Sequence, residues 1–116
     1  MYNQREIVLV PIPFTDLSNK KRRPVVIVSN DNYNQLNQDL VVVAITSNIV
    51  YDNEYCLEIS DNNLESGNLP LVSKIKCDKI YTISQNIIVK KFSKINAKTF
   101  IEINKKVNRL IRSRKN

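Results

Sequence analysis

Histidine is absent from the chain. That excludes every Ser-His or Cys-His nucleophile pair and every imidazole metal ligand, so acid–base chemistry falls to Arg, Lys, Asp, Glu, Tyr or hydroxyl groups. Cysteine is scarce: Cys56 and Cys77 have a spacing that suggests neither a disulfide framework nor a zinc site. Both are expected to be free thiols in a reducing compartment, with no metal and no cofactor. Glycine occurs once, as Gly67, inside a polar segment where a left-handed turn is expected. Long apolar runs are missing too. The first, Ile7 to Val10, stops at Pro11-Ile12-Pro13. It is too short for a signal sequence or a membrane span, which predicts a cytoplasmic protein without a membrane partner.

What is present is a 116-residue chain with a net charge of +7 and a pI near 9.5. One domain over residues 1–116 is expected, burying roughly two-thirds of the unfolded surface. The charge is unevenly spread. Up to Glu58 there are five Lys/Arg against seven Asp/Glu, and from Ile59 onward thirteen against four. A basic second half fits a polyanionic partner such as nucleic acid, or an acidic protein. A merely solubilising, lysine-rich surface is the competing reading.

Short β-branched runs dominate the order of elements. Ile7 to Val10 reads as a strand confined by its prolines to an edge or bulge. Phe14 to Asn19 reads as a polar loop. Lys20-Lys21-Arg22-Arg23 is the densest cationic cluster, joined through Pro24 to the buried strand Val25 to Ser29. Four cations cannot be buried together without partners, so they belong at the strand's mouth. Pro24 holds Arg23 extended, where its guanidinium can fork onto phosphate oxygens. A solvated turn is the bland alternative. Asn30 to Asn34 reads as a turn or a single helical turn. Leu40 to Ile45 is a third strand, ending at Thr46-Ser47-Asn48. Tyr55 to Ile59 alternates as a half-exposed strand, and Ser60 to Leu69 reads as a loop. Leu71 to Ile75 begins a further strand leading into Lys76-Cys77-Asp78-Lys79, Ile80 to Ile83 is another short apolar segment, and Ile87 to Phe92 fits either strand or irregular structure.

The last element is the clearest. Phe100, Ile103, Val107, Leu110 and Ile111 recur at helical spacing, with Lys98, Lys105, Lys106, Arg109 and Arg112 on or near the other side. Asn96 is a fitting N-cap for a helix from Ala97 to about Arg112. The pattern predicts a mostly β, α+β fold: a small, mostly antiparallel barrel or sheet closed by a C-terminal amphipathic helix.

Arg23, Thr46, Ser47, Lys76 and Asp78 each mark a point where a buried run meets a polar one, so a shared cleft is expected. The ordered blocks I-V-L-V-x-I-P-F-T-D, K-R-R-P-V-V-I-V-S, V-V-V-A-I-T-S-N and I-K-C-D-K-I-Y-T-I-S, followed by the terminal helix, resemble the MazF/PemK family of bacterial toxin–antitoxin toxins. The resemblance covers nearly the whole chain in register.

It implies an SH3-like, partly open antiparallel barrel with short helices. It also implies a homodimer, metal-independent cleavage of single-stranded RNA at short sequences, and a cognate antitoxin. Arg23 and Thr46 match the family's residues at the scissile phosphate, and Asp78 matches the carboxylate assigned in the PemK branch as base for the ribose 2′-hydroxyl. Lys76 stands where that branch carries arginine, which keeps a cation and gives up the bidentate fork. Leu17 and Ser18 stand where many members carry a loop glutamate or histidine, with Asp16 near but off-register. Lys20, Lys21, Arg22, Ser47, Asn48, Lys79 and Tyr81 are the expected RNA contacts, cations tracking phosphates and the tyrosine offering a stacking face. For Tyr81 a core or dimer role is equally open. Two other functions remain in view: a non-catalytic toxin that binds a protein such as DNA gyrase, and a basic RNA-binding module without chemistry.

Overall fold

The computed structural model describes residues 1–11 and 21–113. Seven strands form one antiparallel sheet: β1 Glu6–Val10, β2 Arg23–Ile27, β3 Asp39–Thr46, β4 Cys56–Ile59, β5 Leu64–Gly67, β6 Ser73–Ser84 and β7 Lys90–Ile95. Two helices complete the architecture, α1 Asp31–Leu36 and α2 Ala97–Ile111. The strand order is β4-β6-β3-β2-β1-β7-β5, so the three most β-branched runs lie side by side at the centre. Among the described residues no helix is long and apolar enough to cross a membrane.

Side chains alternate between the two faces of a strand, so central strands made of consecutive apolar residues carry apolar side chains on both. On one face Ile7, Val26, Val43, Ile45, Ile75, Cys77 and Ile95 pack with Ile103 of α2. On the other, Val8, Val10, Val25, Ile27, Leu40, Val42 and Ile83 form a second buried cluster. Helix α2 begins as expected: Asn96 accepts from the Thr99 amide at 2.8 Å. Its apolar stripe is shorter than its sequence period suggests. Ile103 is buried and Val107 packs against the same cluster, but Leu110 and Ile111 are exposed.

Several boundaries differ from the sequence reading. β2 starts at Arg23, one residue before the proline, and its ladder to β3 starts at Val25. The Ser60 to Leu69 segment is not all loop. Its Asp61–Asn63 turn is capped by Ser60 and Asn63, and then Leu64–Gly67 adds an edge strand to β7. Gly67 does take the left-handed conformation, with φ of 81°, and a Cβ there would lie 2.5 Å from the Phe92 carbonyl oxygen. The strand expected to lead into Lys76 to Lys79 starts at Ser73 and continues through the Ile80 to Ile83 apolar segment as one strand, β6, interrupted by a bulge. The stretch Ile87 to Phe92 is both of the forms expected for it: irregular up to Val89, and part of β7 from Lys90 onward.

Candidate functional site

Antiparallel pairing gathers alternate strand ends at one rim of the sheet: the end of β1, the start of β2, the end of β3 and the start of β6. Val25 pairs with Ala44. Continuing that register by two residues sets Arg23 opposite Thr46. Thr46 in turn pairs with Lys74, and Ala44 with Lys76. Directly opposed residues share a face. Arg23, Thr46 and Lys74 therefore form a row across the rim, with Lys76 one step inward from Lys74. Adjacent strands lie about 4.8 Å apart, so the row from Arg23 to Lys74 spans about 10 Å.

The bulge positions Asp78. Between Val43 and Ala44 the partner residue on β6 moves from Ile80 to Lys76, leaving Cys77, Asp78 and Lys79 as extra residues. The Cys77 amide, freed from β3, donates to the Tyr55 carbonyl at 3.1 Å. Such bulges re-aim side chains that strict alternation would fix. Asp78 is held by Asn53, whose Nδ2 donates to Oδ2 at 3.4 Å, and by Lys79 at 4.0 Å. Its Oδ1 is buried and, among the described residues, has no hydrogen-bond partner.

The segment between β3 and β4 ties these groups together. The Lys74 ammonium donates to the Tyr51 carbonyl at 3.0 Å and pairs with Asp52 at 3.5 Å. The Lys76 ammonium sits 4.6 Å from the Tyr51 ring centroid, within cation–π range. Asn53 Nδ2 also donates to the Tyr51 hydroxyl at 3.4 Å, linking the ring to Asp78. Thr46 Oγ1 accepts from the Asn48 amide at 3.1 Å, which fixes its rotamer at the strand end.

Arg23, Thr46 and Lys74 thus line the rim, Lys76 lies one step inward, and Asp78 sits in the bulge beyond it, linked to Lys76 through Asn53 and the Tyr51 ring. Ser47 is not with them: it lines a cleft on the α2 face with Leu9, Pro24 and Ile45. Lys21, Arg22, Asn48 and Lys79 are exposed. Tyr81 is half-buried and packs against the cluster containing Val42 and Ile83. Lys20 lies outside the described residues, as do Asp16, Leu17 and Ser18. Sequence reasoning missed Lys74, Tyr51 and Asn53. Lys74 was within reach, because alternation puts it on the same side as Lys76. Tyr51 and Asn53 were not, since nothing local reports which loop will cross β6.

A family model for "PemK-like, MazF-like toxin of type II toxin-antitoxin system" matches residues 3–111. The chain belongs to that family. Among proteins of curated function none matches it in sequence. Solved structures of other MazF-type proteins share its fold. An endoribonuclease in complex with its cognate antitoxin, from a mycobacterial species, superposes with a TM-score of 0.76 at 16% identity, over 94% of this chain and 93% of that one. The Mycobacterium tuberculosis toxin MazF-mt6 gives 0.72 at 18% identity, over 90% and 94%. MazF in the MazE–MazF complex of Deinococcus radiodurans gives 0.72 at 13%, over 95% and 94%. At these identities the likeness establishes a MazF fold: a curled antiparallel half-barrel with a C-terminal helix.

Proposed function

We propose that this MazF/PemK toxin is a metal-independent endoribonuclease that cuts single-stranded RNA through attack of a ribose 2′-hydroxyl on the adjacent phosphate. The observation that supports the proposal is the pairing of β2, β3 and β6 at one rim, whose register continued past Val25 and Ala44 sets Arg23 opposite Thr46, with Lys76 opposite Ala44 and Asp78 in the bulge that follows. Attack by the 2′-hydroxyl builds negative charge on the non-bridging phosphate oxygens, and donors fixed beforehand stabilise that charge without reorganising. Arg23 supplies the forked cation. Thr46 orients the phosphate with its hydroxyl, Asp78 takes the 2′-hydroxyl proton, and Lys76 holds the phosphate as a point charge. Rigidity favours this assignment: Arg23 and Thr46 sit on paired strands, and Lys76 is steadied by the Tyr51 ring.

The exposed Lys21, Arg22, Asn48 and Lys79 extend the contact along the strand. Residues 1–116 act as one domain in the cytoplasm, as a homodimer. Two of the solved relatives were captured with antitoxin or MazE, which supports a cognate antitoxin for this chain as well.

The test is incubation of the purified protein with varied single-stranded RNA in EDTA. Cutting should persist in the chelator and fall at least about a hundredfold in Arg23→Ala, the cost typical of removing one oxyanion donor. A folded protein that leaves all RNA intact, or one whose cutting survives Arg23→Ala unchanged, contradicts the reading. Growth arrest with intact cellular RNA would point instead to a protein target.

A further inference from the structure

Neighbouring residues at the rim fall on opposite faces. Arg23 and Thr46 face away from α2, while Pro24, Ile45 and Ser47 line a cleft of about 500 Å³ on the α2 side. Its walls are mainly apolar, and Phe92 supplies one aromatic surface packed against the core. Four polar side chains reach it: Ser47, Asn68, Ser73 and Lys90. The Ser73 hydroxyl is already committed, donating to the Leu71 carbonyl at 3.0 Å. Among the described residues, Ser47, Asn68 and Lys90 have no side-chain hydrogen bond or ion pair.

An apolar slot with an aromatic wall and a few uncommitted donors and acceptors is suited to a flat heterocycle, whose faces pack while its edge is read. The volume lies in the range of small-ligand sites. A carboxamide offers a donor and an acceptor side by side, which matches the edge of a base rather than an aliphatic side chain. Lys90 adds a cation at the mouth, as a phosphate-bearing occupant requires.

Continuity decides which occupant. The residues lining the cleft alternate along β2 and β3 with Arg23 and Thr46, so a nucleotide whose phosphate is held on one side of the rim has the cleft directly across it. We propose that the cleft receives the nucleobase next to the scissile phosphate. Asn68 reads its edge, Phe92 packs against its face, and Lys90 neutralises a flanking phosphate. This rests on the RNA-cleaving reading above and adds to it a specificity-determining residue.

The test compares cut-site profiles on a randomised single-stranded RNA library for the unaltered protein, Asn68→Ala and Asn68→Asp. Asn68 is exposed, so both variants should keep the unaltered melting temperature. In Asn68→Ala the base preference at one position adjoining the cut should weaken about tenfold while cutting continues. In Asn68→Asp, which loses the donors and keeps the acceptors, the preference at that position should shift to a base presenting a donor. Profiles identical in all three proteins overturn the cleft assignment and leave the nuclease reading standing. No cutting by the unaltered protein overturns both.

Discussion

Two cysteines on neighbouring strands meet opposite environments. Cys77 points into the α2-side core and is fully buried, while Cys56 is half-exposed opposite Lys76. Burial pushes the Cys77 thiol from 9.0 up to about 12. From pH 9 upward the unfolded chain therefore gives up a proton that the folded chain keeps, and this group subtracts stability as pH climbs towards 12. A thiolate is the reactive form. Ellman's reagent at pH 8 should accordingly titrate one thiol in the folded protein and both in denaturant; equal reactivity of the two while folded would contradict the packing. The same scale shows what sequence makes legible. The strand-end positions of Arg23 and Thr46 were readable because each borders a β-branched run. Tyr51 and Asn53, which hold Lys76 and Asp78, were not, because their role depends on contacts about 25 residues away in the chain.

At the level of elements, strands with continuous apolar runs were plain, as was the alternating edge strand β4, while the edge strand β5 was not. β1, β2 and β3 are central and carry apolar residues on both faces, whereas β5 is a polar, four-residue edge strand, LESG, with little pattern to detect. The bulge in β6 was hidden for a related reason: three unpaired residues inside a strand look like a turn between two strands. Gly67 is where local chemistry and pairing coincide. Its left-handed backbone lets β5 approach β7 so closely that a methyl group would meet the Phe92 carbonyl and Ser93 at 2.5 to 2.8 Å. Both obstacles are strand atoms that cannot swing away. Gly67→Ala should therefore destabilise the protein by about 1–3 kcal/mol, measured as a lower urea midpoint at unchanged m. An equal or higher midpoint would contradict the described packing of β5.

For the whole molecule the +7 net charge is informative through its placement. Several cations are occupied: Arg5 bonds Glu65 at 2.9 Å, Lys91 bonds Glu6 at 3.0 Å and Lys74 lies 3.5 Å from Asp52. Lys76 has no carboxylate within salt-bridge distance among the described residues and rests against the Tyr51 ring. If it contacts a phosphate, affinity for a non-cleavable RNA, deoxy at the cut position, should fall with salt. The logarithmic slope should lessen by about 0.7 in Lys76→Ala. An unchanged slope would remove Lys76 from the phosphate track.

If Arg23, Thr46 and Asp78 direct a ribose 2′-hydroxyl onto its own phosphate, the chemistry of the cut ends will carry the mark of that attack. Attack by the 2′-hydroxyl displaces the 5′-oxygen of the next nucleotide, so RNA cut in EDTA should carry a 2′,3′-cyclic phosphate on one fragment and a free 5′-hydroxyl on the other. Mass spectrometry that found 3′-hydroxyl and 5′-phosphate ends would show that water, not the ribose, is the nucleophile, and would remove Asp78 as the base for a 2′-hydroxyl.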